Sequence, residues 1–177
     1  IYKLTCDCSF GKFAFPVRVV IPKSGRPVPA FVHINFRPDV PDKYQPTEEI
    51  IDRGYAVLTF CYKDVTSDDG DFTNGFAGVL YPDRKRTTTD AGKLTMWAWA
   101  AQRVMDYAET EPRLDKSCAI VCGHSRLGKT ALFAAATDGR FALAHSNDSG
   151  AGGAAITRGK VGERIADITK NFPVWFC

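Results

Sequence analysis

The 177-residue chain has no apolar stretch near the roughly 20 residues that a membrane-spanning helix requires. Nor does it open on a secretory leader. Histidine is scarce, with three, and methionine with two, so imidazole chemistry within the chain must draw on His33, His124 or His145. Neither sign of charge dominates: a formal +3 is spread over 23 basic and 20 acidic residues, which argues against a nucleic-acid-binding surface. The one tight basic cluster, Arg84-Lys85-Arg86, reads as a solvated loop. The six cysteines lack metal-ligand spacing, Cys6 and Cys8 being too close for a C-x-x-C pair. Cys61, Cys118 and Cys122 fall in or beside apolar runs, where a thiol serves as a small hydrophobe. Reduced thiols and the missing leader favour an intracellular site, with secretion the alternative if the natural N-terminus lies further upstream. No internal repeat or low-complexity segment is present.

What is there suits one globular domain: 45% of residues are hydrophobic and 24% charged, enough for a sizeable core. Phe13 to Ile21 alternates with a period of two and ends at Pro22, a strand followed by the turn Lys23-Ser24-Gly25. Ala30 to Phe36 and Tyr55 to Tyr62 are short apolar runs of the kind that form central parallel strands. Between them Thr47 to Arg53 reads as a helix stopped at Gly54, completing a βαβ unit. Lys63 to Thr89 is a long Asp-, Gly- and Thr-rich segment, expected as a hydrophilic surface loop. Its Asp64, Asp68, Asp69 and Asp71 fail the calcium-loop spacing. Asp90 is placed to cap a helix whose apolar positions Leu94, Trp97, Ala98, Ala101, Val104, Met105 and Ala108 recur at three and four residues. Pro112 closes that helix, and Trp97 reads as core. Strand Cys118 to Cys122, a helix to about Thr137 and strand Phe141 to Ser146 follow. Strands alternating with helices predict a doubly wound, mostly parallel α/β sheet flanked by helices, in one domain over 1–177. The ends, Ile1-Tyr2-Lys3-Leu4 and Phe172-Pro173-Val174-Trp175-Phe176-Cys177, read as unfinished, the latter as an uncovered apolar surface.

The stretch Gly123-His124-Ser125-Arg126-Leu127-Gly128-Lys129-Thr130 joins the Cys118–Cys122 strand to an alanine-rich helix. A serine on such a bend is pushed out at the carboxyl edge of the sheet as an acyl-transfer nucleophile, and the following helix directs N–H groups at an oxyanion. The usual elbow has glycine two positions after the serine, where this chain has Leu127; Gly128 comes third. The same residues match G-x-x-x-x-G-K-[ST], a phosphate-binding loop with Lys129 on phosphate and Thr130 on magnesium. Against that reading, several strands precede the loop, and its acidic partner strand would have to be the polar-interrupted Phe141–Asp148. A plain βα turn with a solvated lysine is the third alternative.

An elbow serine needs a base and an acid. Asp148 follows the next strand at the same rim, as a triad acid should, although a turn aspartate bonding its own backbone has the same pattern. No histidine stands in the expected order, and His33 reads as a satisfied core or rim residue. The base is therefore expected beyond Cys177.

The serine-arginine-x-glycine-lysine core at 125–129, paired with Asp148-Ser149-Gly150-Ala151-Gly152-Gly153, resembles the glucuronoyl esterases of carbohydrate esterase family 15. The resemblance runs from about Ala30 to Cys177 and extends to bacterial relatives often labelled acetylxylan-esterase-like. It implies an α/β-hydrolase fold, with Ser125 as nucleophile and Arg126 completing the oxyanion hole through its N–H and guanidinium. It implies Asp148 as acid, 23 positions after Ser125, with Lys129 and Glu163 contacting the sugar. The substrate implied is a plant-wall carbohydrate ester, glucuronoyl or acetyl, with no metal or organic cofactor and no nucleic-acid or membrane partner. His124 and Asp148 stand where the fungal motif has cysteine and glutamate. The family's histidine belongs to a later segment that this chain lacks, so the resemblance implies a C-terminally incomplete, and by itself inactive, hydrolase domain.

Overall fold

The computed structural model describes residues 1–39, 45–83, 86–159 and 161–177. A hairpin opens the chain: β1 (Tyr2–Cys8) and β2 (Gly11–Val20) pair antiparallel across the two-residue turn Ser9-Phe10. Then follow β3 (Val28–Asn35), α1 (Thr47–Asp52), β4 (Ala56–Cys61), and the short helices α2 (Tyr62–Val65) and α3 (Gly75–Leu80). The long helix α4 (Lys93–Thr110) leads to β5 (Leu114–His124), α5 (Arg126–Thr137), β6 (Phe141–Asn147) and α6 (Ile165–Asn171).

The six strands form one mixed sheet in the order β1-β2-β4-β3-β5-β6. From β4 to β6 the neighbours are parallel, and β2 meets β4 antiparallel. All six residues of β4 are buried, as an apolar run covered on both faces should be. The chain leaves β3 for β4 on one side and returns to β5 on the other, so the strand order reverses there. Such a switch point opens a crevice at the carboxyl ends of the strands, where α/β sheets bind ligands.

Side-chain alternation divides the sheet. Ala30, Val32 and Ile34 of β3 and Ala119 and Val121 of β5 point to the face covered by α4 and α5 and are fully buried. Trp97 of α4 sits at the centre of this layer, edge-on to Tyr62 at 4.9 Å, its indole N–H donating to the Thr66 carbonyl. Every apolar position of the three-and-four repeat in α4 is buried.

Several expectations need correction. Tyr2–Cys8, which the sequence left unassigned, is a strand: apart from buried Cys6 its residues are exposed or half-buried, and it gains its partners when β2 folds back. Asp90 does not cap α4; Gly92 occupies that position, and the Asp90 carboxylate accepts from Thr87 N at 2.6 Å and Thr87 Oγ1 at 2.9 Å. Cys118 is exposed, at a point where β5 runs past the buried layer. The segment after β4 is no plain surface loop: it carries two helices, and Asp68 within it is nearly enclosed. The C-terminal aromatic residues are not left uncovered, since Trp175 is buried and stacks on Phe172 at 4.0 Å. Two members of the predicted basic cluster, Arg84 and Lys85, lie outside the described residues, while Arg86 donates to the carbonyls of Ala91, Asp90 and Phe176.

Candidate active site

The β5 strand ends at His124, and the next residue turns the chain straight into α5. Ser125 makes that turn with φ 56° and ψ −123°, a conformation that an L-residue adopts only when its surroundings impose it. The surroundings are visible. Ser125 N donates to the Asn147 carbonyl at the end of β6 (2.9 Å), and the Ser125 carbonyl accepts from Gly128 N (2.9 Å) and Lys129 N (3.2 Å). Two glycines make the bend this tight. A Cβ at Gly123 would stand 2.4 Å from the Leu127 carbonyl oxygen, and one at Gly128 2.9 Å from the Asn147 oxygen. The departure from the usual elbow thus has a cause: Leu127 turns into the core, fully buried, and Gly128 is the residue that passes β6 closely.

Asp148 follows Asn147 at the same rim and has φ 45°; it and Ser125 are the only non-glycine residues with positive φ among those described. Its side chain is exposed. Behind it, Ser149 is buried and organises the return of the chain. The Ser149 hydroxyl accepts from Ser146 Oγ (2.7 Å) and Ala154 N (2.8 Å), while its carbonyl accepts from the Lys129 ammonium. A Cβ on Gly150 would lie 3.3 Å from Glu163 Oε2 and 3.7 Å from Lys129 Nζ, so the two residues predicted to contact a sugar flank one turn. Lys129 is buried there rather than projecting into solvent.

Arg126 opens α5, and the first N–H groups of a helix point out of its end, where they favour negative charge. Its guanidinium lies 4.9 Å from the Trp175 ring centre, with Phe36 and Phe172 within 6 Å. Its Nη1 donates to Asp68 Oδ2, and its Nε is buried with no hydrogen-bond partner among the described residues. Asp68 also accepts from Trp175 Nε1 at 2.7 Å and from Tyr62 OH at 3.4 Å. Burial, and then the negative charge of Asp68, push the Tyr62 phenol up to about 12. Sequence reasoning missed Asp68, Tyr62 and Trp175. One signal pointed to the first two: they follow the carboxyl end of a central strand, the edge where such sheets carry function.

The phosphate-loop reading does not survive this geometry. Lys129 is buried with one ammonium donor on the Ser149 carbonyl, and the buried Thr130 hydroxyl, which would have to meet magnesium, donates instead to the Arg126 carbonyl one turn back at 3.0 Å. The helix begins at Arg126, leaving no open loop to wrap an anion.

All three histidines line one cavity of about 270 Å³ with Gln45, Cys122 and Asn147. His33 Nδ1 meets Gln45 Oε1 at 2.8 Å, and Asn147 Nδ2 meets His124 Nδ1 at 3.1 Å. None of them is hydrogen-bonded to Ser125 among the described residues. The Cys122 thiol, walled into the same region, is pushed up to about 12 by burial. No group of three or more His, Cys, Asp or Glu among the described residues is arranged to hold a metal ion.

The family model described as fungal glucuronyl esterase matches residues 6–171. A carbohydrate esterase from an unknown prokaryotic organism is 41% identical over 133 residues, 73% of this chain and 31% of that protein. The 4-O-methyl-glucuronoyl methylesterase of Hypocrea jecorina is 32% identical over 173 residues, 95% of this chain and 34% of the relative. Among solved structures, a CE15 glucuronoyl esterase from Teredinibacter turnerae superposes with a TM-score of 0.83 at 28% identity, covering 97% of this chain and 46% of the other. The chain spans about a third or less of the length of the curated relatives it matches.

Proposed function

The chain belongs to the glucuronoyl esterase family, and from that premise we propose that its protein is a serine esterase acting on a carbohydrate ester of the glucuronoyl type. The observation that carries the reading is the strained strand-to-helix bend at Ser125, φ 56° and ψ −123°, at the carboxyl edge of the sheet. In this reading Ser125 Oγ attacks the ester carbonyl while a base takes its proton. The tetrahedral oxyanion is met by the Arg126 N–H at the head of α5 and by the Arg126 guanidinium. Collapse expels the alcohol, protonated by the same base, and leaves an acyl-serine that water cleaves to the uronic acid. Asp148 orients the base, which in this reading is a histidine outside these 177 residues, since none of the three within them is hydrogen-bonded to Ser125 among the described residues. Lys129 and Glu163, on either side of the Gly150 turn, read the sugar hydroxyls. A cation next to the nucleophile suits this step, because preorganised donors at an oxyanion are each worth ~100-fold to 1000-fold in rate.

The test is hydrolysis of the methyl ester of 4-O-methylglucuronic acid by the full-length gene product, beside acetylated xylan. Ser125→Ala should lower the first activity by at least about 1000-fold, the scale of losing a triad nucleophile. Hydrolysis that persists in that variant removes the proposal. Preference for acetylated xylan replaces the glucuronoyl ester by an acetyl ester at the same serine.

A further inference from the structure

Arg126 is not steered by its own helix but by a carboxylate 58 positions earlier in the chain. The Asp68 side chain is only 8% exposed and collects donors from three separate parts of the fold: Arg126 of α5, Trp175 near the C-terminus and Tyr62 of α2. The loop presenting it is itself fastened. Ser67 N donates to Asn74 Oδ1 (3.0 Å), Asn74 Nδ2 to Ser67 Oγ (2.7 Å), and Ser67 Oγ to Asp69 Oδ1 (2.6 Å). Buried Lys93 donates to Thr66 Oγ1 at 2.9 Å and to the Asp71 carbonyl at 2.6 Å.

These contacts constrain the guanidinium in two ways. The Trp175 ring, with Phe36 and Phe172, supports it on apolar surface while the side chain stays 29% exposed. The Asp68 carboxylate takes the Nη1 end and sets its direction. The Nε–H is buried with no acceptor among the described residues. Three aromatic rings and a carboxylate thus hold one guanidinium whose exposed part lines an open pocket with Tyr62, Asp68 and Asn74, where a substrate can meet it. An unrestrained arginine would have to give up its side-chain freedom as the substrate binds. Here the loss is taken on folding.

Resting on the esterase reading above, we infer that Asp68, steadied by Trp175 and Tyr62, is a positioning residue. It orients Arg126 toward the negative charge that develops at Ser125. Asp68 touches no reacting atom in this scheme and acts only through the guanidinium.

A double-mutant cycle on the full-length gene product tests this, with kcat and KM measured separately on the glucuronate methyl ester. Asp68→Asn keeps the shape and the acceptor for the indole but removes the charge. It should lower kcat by ~10-fold to 100-fold and leave KM within about threefold, as expected for an interaction used in the transition state. Arg126→Ala should lower kcat by ~100-fold or more. Adding Asp68→Asn to Arg126→Ala should change kcat by less than about twofold, since residues that act through one group are not additive. An equal kcat loss from Asp68→Asn in both backgrounds, or none in either, overturns the inference and makes Asp68 a structural residue. Trp175→Phe, which keeps an aromatic ring but loses the five-membered half of the indole with its N–H to Asp68, should show a smaller loss that likewise vanishes without Arg126, and it decides the matter should Asp68→Asn fail to fold. Ser125→Ala, run alongside, separates the two levels. Activity that survives it removes the esterase reading and this role together; additive losses with Ser125 still essential remove the positioning role alone.

Discussion

Ser125 occupies a conformation that costs on the order of 1–3 kcal/mol for any residue with a Cβ, and it is held there by the Asn147 carbonyl and the start of α5. Glycine populates that region without penalty. Ser125→Gly should therefore be more stable than Ser125→Ala by about 1 kcal/mol, measured as the difference in urea unfolding free energies. Equal stabilities would mean that the bend is unstrained. At this scale the sequence was readable where the residue type is dictated by the backbone, as with the glycines around the serine. It was not readable for Asp68, because nothing within ten residues of it states that its partners are Arg126 and Trp175. The spacing from Ser125 to Asp148 placed both at the ends of neighbouring strands. The conformation at Asp148, with φ 45°, came from the close return of the chain through Ser149 and Gly150.

The helix α4 shows how an element carries a message to a distant site. Its apolar repeat fixes the buried face, and Trp97 anchors it against Tyr62 and the Thr66 carbonyl. Its first residue, Lys93, is fully buried at the helix N-terminus, a position that favours negative rather than positive charge. Burial depresses its pKa, and its ammonium is stabilised by Thr66 Oγ1, the Asp71 carbonyl and the Phe72 ring at 4.4 Å. Lys93 thus fastens the 66–74 loop to the helix. Lys93→Met should speed amide exchange over Ser67–Asn74 by about 10-fold or more, the worth of a hydrogen bond from a charged donor, and leave the interior of α4 protected. Unchanged exchange in the loop would show that its own side-chain bonds suffice. The periodicity named the helix and its core face, while the role of Lys93 depended on a loop that sequence reasoning had assigned to the surface.

Across the whole molecule, acid stability follows from carboxylates that gain partners on folding. Hydrogen bonds from Thr73 and Asn74 lower Asp71 to about 2 from an ordinary 3.8, and those from Arg113 lower Glu111 to about 2 from 4.5. Both are more acidic folded than unfolded, so below about 4.5 the unfolded chain takes up protons first. Their contribution is complete above that pH and is lost as pH falls through about 2. The thermal midpoint should hold steady down to about pH 5 and then drop, and the Asp71→Ala, Glu111→Ala double variant should show a shallower drop. Parallel curves would assign acid unfolding to other groups.

The α/β-hydrolase fold was legible because alternating apolar runs and helical repeats are local properties, written within windows of ten to twenty residues. So was the bend at Ser125, since a turn this tight requires the glycines at 123 and 128. The partnership around the guanidinium was not legible. Tyr62, Asp68, Arg126 and Trp175 come from three separate stretches of chain, and only the stacking of the segment after β4, α5 and the C-terminal turn against one another brings them into contact. Sequence determines which segments fold and which faces they bury. Contacts between segments far apart along the chain are set by how those faces close, and that is decided by packing in three dimensions.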